Sequence, residues 1–375
     1  MIRRLKDYYR QFEELSPEEI SRELMERRDA DRASALAEVP PLDLSAPGWH
    51  EPPDAEAVNA ATYALRRSVN AYPDPGPLRE ALAARHGLEP VQVMPGHGAG
   101  ELLRAAFRAL AGTGDVAIAW PGWGLLPRLV DEAGGVPVAV PLTAAGAPDP
   151  EALLDAAGAG TRAIVLCTPN DPTGAALEPA ALRELADRLD DRVWLIVDAA
   201  LAEFAPDEPA GLAARGQGGV AALLAARERV LVVRSFSKAH AMAGFRAGFA
   251  AAGDAALLGR IGPVAGVAAP AQAAMLWAVQ SGAAVVARRR AAAARERERL
   301  AAALDGSSFG FAAGHGHLVW LASAEHDGPA VAAHLAAQRI YVTPGTAWGD
   351  DRHVRVALRD GAATDRLGAA LRELA

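Results

Sequence analysis

Ser235-Phe236-Ser237-Lys238-Ala239-His240, closed a few residues later by Gly244-Phe245-Arg246-Ala247-Gly248, follows directly on the apolar run 230–233. A lysine at a strand end, set among hydroxyls and a fixed cation, suits Schiff-base chemistry on an anionic cofactor. Its amine must shed a proton to attack an aldehyde, and a neighbouring cation helps it do so. Arg246 and the hydroxyls of Ser235 and Ser237 can grip a phosphate. The plain alternative is a surface loop with an ordinary lysine, so the weight of this stretch depends on what surrounds it.

Outward from it, short apolar runs alternate with helical patterns from about residue 91 onward. Candidate strands cover 116–120, 136–142, 163–167, 194–197, 230–234 and 245–251, with helices such as 101–110 and 180–189 between them. Continuous apolar runs separated by helices indicate an α/β fold with a mostly parallel sheet covered on both faces. Ligands of such sheets sit beyond the carboxyl ends of the strands. A long helix over 283–304 leads into a smaller α+β pattern, with strands at 317–321 and 354–358 flanking a helix at 329–338. The expected division is 1–67 as an N-terminal segment and part of a small domain, 68–280 as a large cofactor-binding domain, and 281–375 as a linking helix and the rest of the small domain. Ser16-Pro17-Glu18-Glu19 reads as a helix start with a capping box.

Other groups suited to chemistry fall at the expected strand ends. Gly96-His97-Gly98-Ala99-Gly100-Glu101 precedes an amphipathic helix, where backbone N–H groups can approach an anion, although a plain turn reads the same way. Trp120-Pro121-Gly122-Trp123 follows the next strand. Cys167-Thr168-Pro169-Asn170-Asp171-Pro172-Thr173-Gly174 is a turn-rich loop after another. Val193 to Val197 is an apolar strand ending in Asp198, a carboxylate that is costly to bury unless it is paired.

Taken in order, these segments resemble fold type I pyridoxal-phosphate enzymes of the class I/II aminotransferase group, and histidinol-phosphate aminotransferase in particular. The resemblance covers about residue 70 to the C-terminus. It implies that Lys238 holds pyridoxal 5'-phosphate as a Schiff base and that Ser235, Ser237 and Arg246 hold its phosphate. Gly98, Ala99 and Gly100 match a loop that carries serine where this chain has Ala99. Trp123 matches the aromatic residue that stacks on the pyridine ring, and Asp198 the carboxylate paired with the ring nitrogen. Asn70-Ala71-Tyr72-Pro73-Asp74-Pro75 resembles the segment whose tyrosine reaches the phosphate of the neighbouring subunit, which implies a homodimer with shared active sites. Arg355, in His353-Val354-Arg355-Val356, matches the arginine that binds the substrate α-carboxylate.

Two contacts to the phenolic oxygen of the cofactor depart from that pattern. Asp171 stands where an asparagine meets the phenolic oxygen of the cofactor. Either Asp171 is protonated, or the oxygen is, or Asn170 takes part. Leu201 stands where a tyrosine donates to the same oxygen. His317 occupies a place where relatives often have asparagine.

Composition limits the alternatives. The 375 residues are 51% hydrophobic and carry a net charge of −8 with no basic block, which argues against a nucleic-acid partner. One cysteine, Cys167, allows no internal disulfide and no cysteine metal cluster. No run reaches the ~18 apolar residues of a membrane span, and the N-terminus does not read as a secretory signal. The expectation is a cytoplasmic, metal-free transferase acting on a small-molecule amino donor and acceptor. Alternatives are an enzyme of specialised metabolism that diverts the same cofactor chemistry to decarboxylation, elimination, cyclisation or oxidation, and a non-catalytic ligand-sensing domain.

Overall fold

The structure, a computed structural model, describes residues 21, 22, 24–26, 28, 39–205 and 220–374. The capping box at Ser16 to Glu19 lies outside them. In chain order, β1 (Leu42–Asp43) precedes α1 (Ala55–Ser68), α2 (Gly76–His86), β2 (Val93–Gly96), α3 (Ala99–Leu110) and β3 (Asp115–Trp120). Then come α4 (Leu126–Glu132), β4 (Val136–Pro141), α5 (Pro150–Asp155), β5 (Thr161–Cys167) and α6 (Pro179–Arg188). β6 (Trp194–Asp198), α7 (Val220–Ala226), β7 (Val230–Ser235) and β8 (Gly248–Ala252) follow. The seven strands of the large sheet lie in the order β2-β8-β7-β6-β5-β3-β4. β3 to β7 are parallel, and β8 runs against both of its neighbours.

The strand sequences explain the layers. Every residue of β6 and β7 is buried, as expected where helices cover both faces. Alternate side chains go to opposite faces: Ile164, Leu166, Leu195 and Val232 join one apolar cluster, and Val165, Ile196, Leu231 and Val233 the other. The strand expected over 245–251 begins only at Gly248. Ala243–Phe245 is a 3-10 turn and Arg246 has φ of 52°, outside the extended region, so ladder pairing starts beyond it.

α8 (Ala255–Ile261) and α9 (Ala269–Ser281) pack on the two faces of the large sheet, and the 22-residue α10 (Ala283–Leu304) leads to the second layer, a four-stranded antiparallel sheet. That sheet has the order β12-β13-β10-β9, from β9 (Phe309–Phe311), β10 (Leu318–Ser323), β12 (Thr343–Pro344) and β13 (His353–Ala357). α11 (Gly328–Ala337) and α12 (Gly361–Arg372) pack on it, and β11 (Ile340–Tyr341) pairs with β1. The N-terminal part divides between the two cores. Leu42 and Leu44 join the small-sheet core, whereas α1 buries Ala57 and Ala61 in the core of the large sheet. A fourth cluster, with Trp49, Leu201, Phe204, Val286 and Leu318, joins the two layers beside the strand ends.

Candidate active site

Because β3, β5, β6 and β7 are parallel, their carboxyl ends share one edge of the sheet. The antiparallel β8 begins at that edge, where Gly248 pairs with both Ser235 and Gly96. Trp123, Asp171, Asp198, Ser237, Lys238 and Arg246 therefore converge, and with Ala99, Gly100 and Ser235 they line one cavity of about 520 Å³. Strap residues Pro47 and Gly48 cover part of it.

Lys238 donates from Nζ to the Pro47 carbonyl at 3.0 Å. Burial pushes its amine below the ordinary lysine range; Arg355 adds to this, while Asp171 and Asp198 oppose it. Asp198 ends β6 and is buried. Its Oδ1 accepts from the Ala200 N–H at 3.0 Å, and its Oδ2 has the Cys167 thiol at 3.9 Å. Burial raises its carboxyl to about 6, with Asp171 adding and Lys238 opposing. An anion held this way gains from a cation placed in the cavity.

The opposite wall suits an anion. α3 starts at Gly98 with no side chain capping it, so its first N–H groups remain available. Gly98 has φ of 87°, and a Cβ there would meet Arg246 Nη2 at 2.8 Å. The guanidinium thus sits against the helix start. A Cβ on Gly100 would meet the Trp123 ring at 2.8 Å, so Trp123 can reach the cavity only past a glycine. Trp120 does not line the cavity; its indole N–H donates to the Trp348 carbonyl at 2.9 Å.

The loop after β5 separates its two candidates. Asn170 is fully buried and its amide donates to the Pro121 carbonyl at 2.9 Å and to Thr173 Oγ1 at 3.2 Å. It fixes the loop and does not line the cavity. Asp171 does line it, and it accepts from Arg355 Nη1 at 3.2 Å. Arg355, in the middle of β13, lies behind Asp171 and is not a lining residue. Leu201, in the place of the resembled tyrosine, lines the cavity with a side chain that has no polar atom. Tyr72 is 91% exposed and lies away from the cavity of its own chain.

Two features escaped the sequence reading. The first is the strap from Ser45 to Trp49: Pro47 O accepts from Lys238 and, at 2.9 Å, from His317 Nε2. A backbone carbonyl carries no signal in the sequence. The second is the role of His317, a position the sequence already singles out: it anchors that strap. Burial, with Lys238 adding, lowers its pKa to about 3, so it is a neutral donor. Among the described residues no group of three or more His, Cys, Asp or Glu could hold a metal ion, and no helix is long and apolar enough to cross a membrane.

The residues present fit pyridoxal phosphate. A partly buried lysine amine, an uncapped helix start beside an arginine, an aromatic wall and a buried carboxylate without an ion pair would suit its aldehyde, phosphate, ring face and ring nitrogen.

Comparison with known proteins agrees. Residues 45–371 match the family described as Aminotransferase class I and II. A histidinol-phosphate aminotransferase of Rubrobacter xylanophilus is 42% identical over 200 residues, 52% of this chain and 54% of that protein. The chain thus spans about half the length of that relative. An aromatic amino acid aminotransferase of Rhodococcus jostii is 33% identical over 303 residues, 80% of each chain. The structure of Thermus thermophilus aspartate aminotransferase with maleate superposes with a TM-score of 0.78 at 26% identity, covering 94% of both chains.

Proposed function

The chain belongs to the class I and II aminotransferases, pyridoxal-phosphate-dependent enzymes, and on that premise we propose that Lys238 carries the cofactor and moves the proton at the reacting carbon of an amino acid or amine. When bound, pyridoxal phosphate supplies an aldehyde that condenses with amines and a ring that withdraws electrons. Lys238, its amine made less basic by burial, accepts the proton and can return it. Asp198 presents its carboxylate to the ring nitrogen. Arg246, Ser235, Ser237 and the N–H groups of Ala99 and Gly100 hold the phosphate, and Trp123 covers the ring face. Asn170 supports the loop that presents Asp171.

The observation that carries this reading is the opposition across one cavity of a lysine pushed down and an aspartate pushed up. Tyr72 acts from the partner subunit of a homodimer. Its 91% exposure supports this, as do Val58, Tyr63, Leu65 and Val69, apolar side chains exposed on or just after α1. The large cofactor domain ends near residue 280, with α10 leading to the small sheet.

The test is a half-reaction. A single amino donor added without acceptor should convert the aldehyde-form absorbance of the loaded protein to the amine form, with release of one equivalent of carbonyl product. Release of CO₂ or ammonia instead would indicate the diverted chemistry that Leu201 and Asp171 allow.

A further inference from the structure

Arg355 is closed off from the cavity by its own chain. Nη1 donates to Asp171 Oδ1 at 3.2 Å, and Nη2 to the Ser45 carbonyl at 3.1 Å. The guanidinium carbon lies 5.0 Å from the centre of the Trp348 ring. Nε is buried with no partner among the described residues, so the remaining fork of Nε and Nη2 does not open to a ligand. Arg355 and Asp171 are both more than nine-tenths buried, and of the two it is Asp171 that lines the cavity.

A ligand therefore meets the Asp171 carboxylate before it meets the guanidinium. A substrate carboxylate brought to Arg355 must displace that of Asp171 or lie beside it, and two carboxylates at one guanidinium repel each other. A neutral substituent meets no such opposition. Trp123, Leu125, Leu129 and Leu201 give the cavity apolar lining for it, beside the charged Glu101, Arg104, Arg128 and Glu132.

We propose that Asp171 is the specificity-determining residue of this site: it fills the carboxylate seat of Arg355 from within the chain, so that the site favours a primary amine over the α-amino acid with the same side chain. This deepens the aminotransferase reading and rests on it. An asparagine at 171 would keep the shape and hydrogen-bonding reach of the side chain while leaving the charge of Arg355 for a ligand.

The test uses a pair of unreactive probes, 3-phenylpropanoate and 3-phenylpropan-1-ol. Their dissociation constants are measured by calorimetry on the cofactor-loaded wild type, on Asp171→Asn and on Asp171→Asn/Arg355→Gln. The wild type should bind the alcohol at least as tightly as the acid. Asp171→Asn should bind the acid about 10- to 100-fold more tightly than the wild type and the alcohol within about threefold, the range expected for a hydrogen bond to a charged group. The gain should vanish in the double variant. If Asp171→Asn does not fold, Asp171→Ser should show the same shift. Half-reaction rates with 2-phenylethylamine and phenylalanine should move in parallel, the amine losing its advantage when Asp171 is replaced.

An Asp171→Asn protein that binds the acid no more tightly than the wild type overturns the proposal, and so does a gain that survives loss of Arg355. Absence of any half-reaction with either donor, in a protein that carries the cofactor, would instead contradict the transferase reading. The binding ratio is read without turnover, so the two failures are distinguishable.

Discussion

Asp198 and Asp171 are buried against one cavity, both within the field of Lys238, and they are satisfied in different ways. Asp171 has a guanidinium of its own at 3.2 Å. Asp198 has one N–H at 3.0 Å and a thiol at 3.9 Å. The part of the cavity proposed to hold the cofactor is electrostatically incomplete in the protein alone, whereas the part proposed to meet the substrate is complete. A site left incomplete calls for a ligand with the missing charge, and a completed one resists a ligand bringing the same charge. The four predictions that follow set the two ends against each other.

The largest effect is expected at the cofactor end. Asp198→Ala should lower turnover of the loaded enzyme by about 10³-fold or more, the scale for losing a preorganised charge at the reacting system. Pyridoxal phosphate should still bind, because Arg246 and the start of α3 are untouched. Turnover within a factor of ten of wild type would mean that Asp198 does not face the ring.

Without cofactor, the same position should reverse sign in stability. The carboxyl of Asp198 titrates at about 6 in the folded chain against an ordinary 3.8. Its charge is thus a cost that is absent below pH 4, grows as pH rises towards 6 and stays constant above. The difference corresponds to about 3 kcal/mol. Asp198→Asn should therefore make the cofactor-free protein more stable to urea by up to about that amount above pH 6. Near pH 3.5 it should make no difference. A destabilised Asp198→Asn protein at pH 8 would show that a cation already sits there.

At the substrate end the same substitution should act oppositely. Asp171→Asn removes the anion from the buried Arg355 and should cost about 2 kcal/mol in the same urea experiment. If both asparagine variants shifted stability in one direction, the contrast between the two ends would collapse. The smallest effect is steric. Gly100→Ala should displace Trp123 and weaken cofactor binding about tenfold, the order expected of modest overpacking. An unchanged affinity would mean that the ring moves aside freely.

Much of the cofactor end was legible in the sequence for a definite reason. Asp198 closes a continuous apolar run, Ser235, Ser237 and Lys238 close or follow another, and Trp123 follows a third. Parallel strands put such positions on one edge. The substrate end was not legible. Asp171, in the loop after β5, and Arg355, in β13 of the other sheet, are 184 residues apart, so no local pattern encodes their pairing. Resemblance alone assigned Arg355 to the substrate, but the partner that occupies it is specific to this fold and this aspartate. β2 was missed because Val93-Met94-Pro95-Gly96 is short and carries both a proline and a glycine, which weaken any strand pattern. Arg246 was expected inside a strand because its neighbours are apolar, and only its left-handed backbone reveals the turn that aims it at α3.

The central claim, that the incomplete end is built around Lys238 for pyridoxal phosphate, has a direct chemical test. The chain contains two lysines, Lys6 and Lys238. Borohydride reduction of the loaded protein, followed by proteolysis and mass spectrometry of the peptides, should place one pyridoxyl group per chain on the peptide containing Lys238 and none on that containing Lys6. A label on Lys6, or no label in a protein that retains the cofactor, would contradict the account.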